Sequence, residues 1–438
     1  MKTILIISPP FYSHFSPLLT IAKALKRSGQ VQVVFATAQP FEKQVTSAGL
    51  NFTTLEISPN ANTGIAEQTR QNRREAQRLQ QFFKATQRGA IPTLMTQTKH
   101  RRLDMLPDPL PIYQQIQQLQ RIWKPSLYLV DQLNYAVTLS LYALGYPFLT
   151  FCPGHPTYIP VDDQIFGVPY AFPSAIQPGS RAIQRLRLLA RQTEQEFTAV
   201  FNQFLEKYAP NRLQVENAFR LASSQAILFN YPDFGHLHLQ REQPKKFFAG
   251  HCFSPNAPLQ SEWQEIIHQN RLYSPKILIS FGTFLSARTD VLKKILHTVI
   301  TEIPKALLIV ATGARTAEYV EFNSPRVIIR EFLPQTALLP YMDLVIHHGG
   351  NNTFTETLYH AKPMVIFPFS SDQFAIAYDA ERFSLGKVVD PNNFLPEDLG
   401  GKITMLVSGK FNSSLKIWSE FSQNHGAFYL AEAILSLP

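Results

Sequence analysis

The sequence predicts an α/β protein in which two doubly wound parallel sheets face each other across a cleft. Three observations support that class. Short runs rich in Val, Ile and Leu alternate with longer helical patterns, which is the rhythm of βα units. The rhythm runs twice, with a polar, proline-bearing stretch between the two series. And 438 residues, 45% of them hydrophobic, supply two cores of ordinary size rather than one.

The first series places strands near 3–8, 31–37, 51–56, 126–131 and 147–152, and the second near 276–280, 306–311, 326–330, 343–347, 363–367 and 387–389. The join is put at 253–274, where Pro255, Pro258 and polar residues precede a new strand, so that 1–252 and 275–410 are the two domains. Residues 17–27 have the apolar spacing of an amphipathic helix, which leaves PPFYSHFSPLL as a loop and helix entry. His14 then stands at the carboxyl end of the first strand, where open α/β sheets place ligands. Asp131 ends the run LYLV at the same sheet edge, and is read either as a partner for His14 or as the N-cap of a helix starting at Gln132.

Composition excludes several classes. Only Cys152 and Cys252 occur, which argues against a disulfide framework and for a reducing compartment. The N-terminal apolar run is too short for a signal peptide, and no run approaches the ~20 apolar residues that cross a bilayer, so a cytoplasmic chain, soluble or at most peripheral to a membrane, is expected. The formal net charge is +9, with Arg70, Arg73, Arg74, Arg78, Lys84, Arg88, Lys99, Arg101 and Arg102 outnumbering Glu67 and Glu75 in one stretch, and Arg181, Arg185, Arg187 and Arg191 forming a second. These offer a seat for an anionic lipid surface; the plainer reading is two solvated helix faces. Nucleic acid is not favoured, because no binding motif accompanies the charge. His251 and Cys252 adjoin with no second Cys-His pair at metal-ligand spacing, and are read as packing residues.

The most informative stretch is FLPQTALLPYMDLVIHHGGNNTFTETLYHAKPMVIFPFSSDQ, residues 332–373. DLVIH is a strand that turns at His348-Gly349-Gly350 into a helix over 351–359, with His347 as its structural last residue. Glycines there let backbone approach a ligand. The first turn of such a helix points unpaired N–H groups and the positive dipole end outward, which suits a diphosphate and is worth roughly 0.3–1 kcal/mol per charge. His348, Asn352 and Thr353 can donate to the same oxygens. Glu356 lies one helical turn beyond Asn352 on the same face, where a carboxylate suits a ribose hydroxyl pair. Asp372 and Gln373 follow the next apolar run and can grip sugar hydroxyls. Upstream, a strand over 277–279 runs into Ser280-Phe281-Gly282-Thr283 before a helical pattern over 291–300, a second phosphate-loop candidate that is weak taken alone.

Those residues, in that order, resemble the donor signature of the family 1 glycosyltransferases, which share the two-domain GT-B fold. The pattern aromatic-x-Pro-Gln, His-x-Gly, a hydroxyl and Glu on a helix, then Pro followed by Asp-Gln is met in order. The resemblance implies that Phe332 stacks on the base and Gln335 lies near the nucleoside. It implies that His348 with Gly350, Asn352 and Thr353 meets the diphosphate, that Glu356 binds the ribose, and that Asp372 with Gln373 holds the hexose. Ser280, Gly282 and Thr283 match the loop that closes over the diphosphate. Two departures stand out: the plant-type Trp is Asn351, which loosens assignment to the plant subgroup, and the Gly ending the helix is Ala361. The chain resembles the bacterial, macrolide-type subgroup.

The family's Gly-His-x-x-Pro loop, with His as general base, is similar to Ser13-His14-Phe15-Ser16-Pro17, without the Gly. A carboxylate on the other imidazole nitrogen fixes the tautomer and raises basicity, and Asp131 is chosen for that role. The family also implies that 411–438 crosses back onto the first domain. The function implied is inverting, metal-independent transfer of a hexose, glucose from UDP-glucose on account of Gln373, to a hydroxyl of a mostly apolar small molecule. The UDP-sugar is a co-substrate and no cofactor or metal is expected, since no Asp-x-Asp motif is present. Two alternatives stay open: a lipid or lipid-linked acceptor at a membrane surface, and a silent sugar-nucleotide binder. A nicotinamide dehydrogenase is disfavoured by the lack of G-x-G-x-x-G after the first strand.

Overall fold

The computed structural model describes every residue except 59–61, 63–72, 107, 236–243, 256 and 438. Glu67 and Arg70 of the first basic stretch lie outside the described residues, as do the side chains of Arg73, Arg74, Glu75 and Arg102. Among the described residues the chain forms two sheets, both parallel throughout. In the first, β1 (Lys2–Ile7), β2 (Val31–Thr37), β3 (Asn51–Thr54), β4 (Leu127–Asp131), β5 (Phe148–Cys152), β6 (Ala226–Phe229) and β7 (Lys245–Phe248) lie in the order β3-β2-β1-β4-β5-β6-β7. In the second, β8 (Lys276–Ser280), β9 (Leu307–Ala311), β10 (Val327–Arg330), β11 (Leu344–His347), β12 (Met364–Ile366) and β13 (Gly386–Val388) lie in the order β10-β9-β8-β11-β12-β13.

The central strands are apolar on both faces because helices cover both sides of each sheet. Ile4, Leu5, Ile6 and Ile7 of β1 and Leu344, Val345 and Ile346 of β11 are all buried. The strands expected from the sequence are found, with ends shifted by up to two residues. β6 and β7 were not anticipated. AILF is too short to show a period, and KKFF is an edge strand carrying two lysines.

The strand orders fix where ligands can sit. Each sheet reverses direction of winding between two neighbouring strands, β1 and β4 in the first, β8 and β11 in the second, and the crevice opens at their carboxyl ends. Ile7 pairs with Val130 there, and Ser280 pairs with His347. His14 and Asp131 follow the first pair, and Gly282 and His348 the second.

Three local features differ from the sequence reading. The first helix begins at Tyr12 and ends at Arg27, so His14 is in its first turn rather than in a loop, and Pro17 is inside it. Proline has no N–H, which leaves the Ser13 carbonyl without an intrahelical donor. Asn352 Nδ2 takes that carbonyl at 2.9 Å. The join contains the helix Ser261–Gln269, whose Trp263 is buried with Leu278, Leu307 and Val345 against the second sheet. Finally, the helix after β4 starts at Tyr135, and Asp131 is not its N-cap.

The last two helices touch both halves. Asn412–Asn424 lies on Asn351–Tyr359, with Ser419 Oγ donating to the Tyr359 carbonyl at 2.6 Å. Ala427–Leu435 places Leu430, Ala431 and Ile434 in one core with Leu18, Ile21 and Leu25. Each leucine so buried contributes about 1.5–3 kcal/mol relative to exposure. Cys152 and Cys252 are free thiols, both buried, and among the described residues no helix is long and apolar enough to cross a membrane.

Candidate active site

A cavity of about 1390 Å³ opens between the two sheets. A drug-sized ligand needs roughly 300–1,000 Å³, so the space suits two substrates at once. His14 and His348 both line it, with Ser280, Gly282, Phe332, Gln335, Gly350, Asn352, Thr353, Glu356, Asp372 and Gln373. Thr283 belongs to the helical turn Gly282–Leu285, directly after the lining residue Gly282. Asp131 stands one layer back, fully buried behind His14.

His14 Nδ1 and Asp131 Oδ2 are 2.8 Å apart. The other carboxylate oxygen accepts from the Leu133 backbone N–H at 2.9 Å, so both ends of Asp131 are held and the ring cannot swing away from it. Burial alone would depress the pKa of His14, but the Asp131 charge and hydrogen bond, with a weaker pull from Asp372, outweigh it and raise the group above its ordinary 6.5. With Nδ1 turned to a carboxylate, Nε2 is the nitrogen left to take a proton.

On the opposite wall the helix Asn351–Tyr359 starts at Gly350 and points its free N–H groups into the cavity. In the folded chain Gly350, and Gly282 of the upstream turn, make room for His348 as well as for a ligand. A Cβ on Gly350 would sit 2.4 Å from His348 Nε2, and one on Gly282 2.8 Å from its Cε1. Burial lowers the His348 pKa to about 4, so it meets a ligand as a neutral imidazole. His347 is buried in the sheet and accepts the Gly349 N–H at 3.1 Å.

Farther along the same wall, a small polar network lies beside an open ring. Gln335 Nε2 donates to Glu356 Oε2 at 2.6 Å and to Thr353 Oγ1 at 3.2 Å. Burial raises the Glu356 pKa to about 7 against the opposing pull of the Gln335 amide. Phe332 is 61% exposed and lines the cavity.

Gln373 Oε1 accepts the backbone N–H groups of Phe369 and Ser370 at 2.9 and 3.1 Å, which leaves its amide nitrogen for a ligand. Asp372 Oδ2 accepts the backbone N–H of His155 at 3.1 Å. Burial pushes the Asp372 carboxyl up, opposed chiefly by that N–H.

The two walls are tied together by residues the sequence reading did not select. Asn230 Nδ2 donates to Asn352 Oδ1 at 3.1 Å, while Asn351 Nδ2 donates to the carbonyls of Pro153 and Asn230 at 2.9 and 2.7 Å. Asn352, expected on phosphate, therefore spends one amide hydrogen on Ser13 and keeps one. His155 and Asn230 follow the carboxyl ends of β5 and β6, and that position was the available signal for them.

The cleft between two doubly wound sheets thus has a His-carboxylate pair on one side and a helix end on the other. The family described as "UDP-glucoronosyl and UDP-glucosyl transferase" matches residues 193–411, 219 of the 438. The chain belongs to this family. It is 26% identical over 206 residues to the demethyllactenocin mycarosyltransferase of Streptomyces fradiae, covering 47% of this chain but only 43% of that one. It is 24% identical over 395 residues to the zeaxanthin glucosyltransferase of Pantoea ananas, covering 87% and 83%. Among solved structures, the glycosyltransferase of kitacinnamycin superposes with a TM-score of 0.71 at 18% identity, covering 100% and 99% of the two chains. The calicheamicin glycosyltransferase CalG4 does so with 0.70 at 13%, covering 100% and 98%. The fold is GT-B.

Proposed function

We propose that the protein transfers a hexose, glucose from UDP-glucose, with inversion, to a hydroxyl group of a mostly apolar small molecule. The observation that carries this is the shared cavity: His14, backed by Asp131, and the helix end at Gly350 look into one space. His14 Nε2 takes the acceptor proton as the hydroxyl oxygen attacks the anomeric carbon from the face opposite the nucleotide. The N–H groups of the Asn351 helix, with His348 and the 280–283 turn, stabilise charge growing on the departing diphosphate. Glu356 takes the ribose hydroxyls and Phe332 the base. Asp372 and the Gln373 amide hold the sugar, and Gln373 is the reason for glucose. Phe11, Leu79, Phe82, Leu133 and Phe166 line the cavity from the first half of the chain, which supports an apolar acceptor.

The test is a screen of hydroxylated apolar compounds against several nucleotide sugars, read as nucleotide release and as anomeric configuration of the product. UDP-glucose should give turnover with inversion. His14→Ala should abolish transfer while UDP binding is unchanged; equal loss of both would make His14 structural and sink the base assignment.

A second reading, an acceptor embedded in or linked to lipid, is favoured by one feature. Arg181, Arg185 and Leu188 share an exposed face of the helix Ser180–Tyr208, and Leu188 is 71% exposed. Co-sedimentation with anionic vesicles that salt abolishes supports it; no binding at low salt removes it.

A further inference from the structure

We propose that Asp379 and His155 are positioning residues that hold Asp372 for the donor sugar, so that sugar recognition is set by contact between the two halves of the chain. The inference rests on Asp372 being a sugar ligand.

Asp379 lies two turns after Asp372, in the helix Gln373–Arg382 of the second half, and is fully buried. Its partners come from the first half. His155 Nε2 is 3.0 Å and the Tyr231 hydroxyl 2.9 Å from Oδ2, and the Tyr170 hydroxyl donates to Oδ1. A carboxylate with no water around it needs such donors, so the contact fixes the helix against the loop after β5. His155 does two things at once: its ring holds Asp379 and its backbone N–H holds Asp372 Oδ2. The same loop comes so close to Asp372 that a Cβ on Gly154 would stand 2.5 Å from Oδ2. Tyr158 continues the grip, its hydroxyl 3.1 Å from Ser371 Oγ. The Asp372 carboxylate is thus held by the first half of the chain, through the His155 N–H and the Tyr158 hydroxyl. The nucleotide is assigned elsewhere, to Phe332, Glu356 and the first turn of the Asn351 helix, none of which is among the Asp379 partners named above.

That separation supplies the test. Dissociation constants for UDP and for UDP-glucose are measured for Asp379→Asn and for the milder Tyr231→Phe, with Asp372→Asn as reference and folding checked by circular dichroism. The expected result is UDP affinity within about twofold of the parent and UDP-glucose affinity weakened about tenfold, the scale of one lost hydrogen bond to a charged group. The double variant Asp372→Asn/Tyr231→Phe should lose no more than Asp372→Asn alone. Equal weakening of both ligands would reduce the cluster to a structural clamp and overturn the proposal. So would an unchanged ratio in Tyr231→Phe and Asp379→Asn while Asp372→Asn shifts it. If Asp372→Asn itself leaves the ratio unmoved, the sugar assignment falls and takes this inference with it.

Discussion

Asn352 Nδ2 donates to the backbone carbonyl of Ser13 at 2.9 Å, tying the first turn of the donor-side helix to the residue before His14. The bond exists because Pro17 withholds the N–H that would otherwise satisfy that carbonyl. The alignment of base and donor therefore has a covalent cause on one side of the cleft and a side-chain cause on the other.

Asn352→Ala should lower kcat about tenfold, on the order of one lost hydrogen bond, with little change in thermal midpoint. Pro17→Ala restores an intrahelical donor to Ser13, so Asn352→Ala should cost less in that background than in the parent. Steady-state kinetics on the double-mutant cycle measures the coupling; strict additivity would refute it.

The raised pKa of His14 has a direction for activity. A base works only when neutral, so kcat/KM should fall as pH drops through a value above 6.5. Asp131→Asn removes the charge that does most to raise it and leaves burial, which lowers it, opposed only by the weaker pull of Asp372. The acid limb should then move to lower pH while the plateau rate falls. A limb that stays in place would show that another group titrates.

Glu356, held near 7 by burial, should bind ribose hydroxyls as the carboxylate. Affinity for uridine, which has no phosphate to titrate in this range, should rise as pH increases through about 7. Glu356→Gln should flatten the curve and weaken nucleotide binding more than it alters acceptor preference. Calorimetric titration at several pH values decides.

Gly350 has ordinary helical-entry dihedrals, so Gly350→Ala tests the space around His348 without backbone strain. UDP affinity should fall about tenfold and stability by about 1–3 kcal/mol. Gly282→Ala meets the same imidazole from a φ of +67°, and should cost a further ~1 kcal/mol in denaturant unfolding.

Ala361 ends the Asn351 helix at a φ of 51°, a left-handed position, with the Lys362 N–H bonded to the Thr357 carbonyl at 3.1 Å. Left-handed alanine costs about 1–2 kcal/mol, and glycine's extra freedom in the unfolded chain returns part of it. Ala361→Gly should raise stability by up to about 1 kcal/mol and leave turnover unchanged, as read by urea unfolding and initial rates.

What could be read from the sequence was whatever depends on local pattern. The strands that flank the two crevices, the glycine turn after His348, the polar face of the helix after it and the Asp-Gln pair all sit within a few residues of the apolar run that identifies them. Strand AILF, the helix in the join and the early start of the Tyr12 helix escaped because short runs carry no period and a proline reads as a helix start. The tertiary structure alone decided that Ser13 meets Asn352, that His155 spans two carboxylates, and that Gly282 and Gly350 clear one imidazole. The first two are brought together from opposite sheets and the last from neighbouring strands of one sheet, and contacts between segments far apart in the chain leave no spacing from which to infer them.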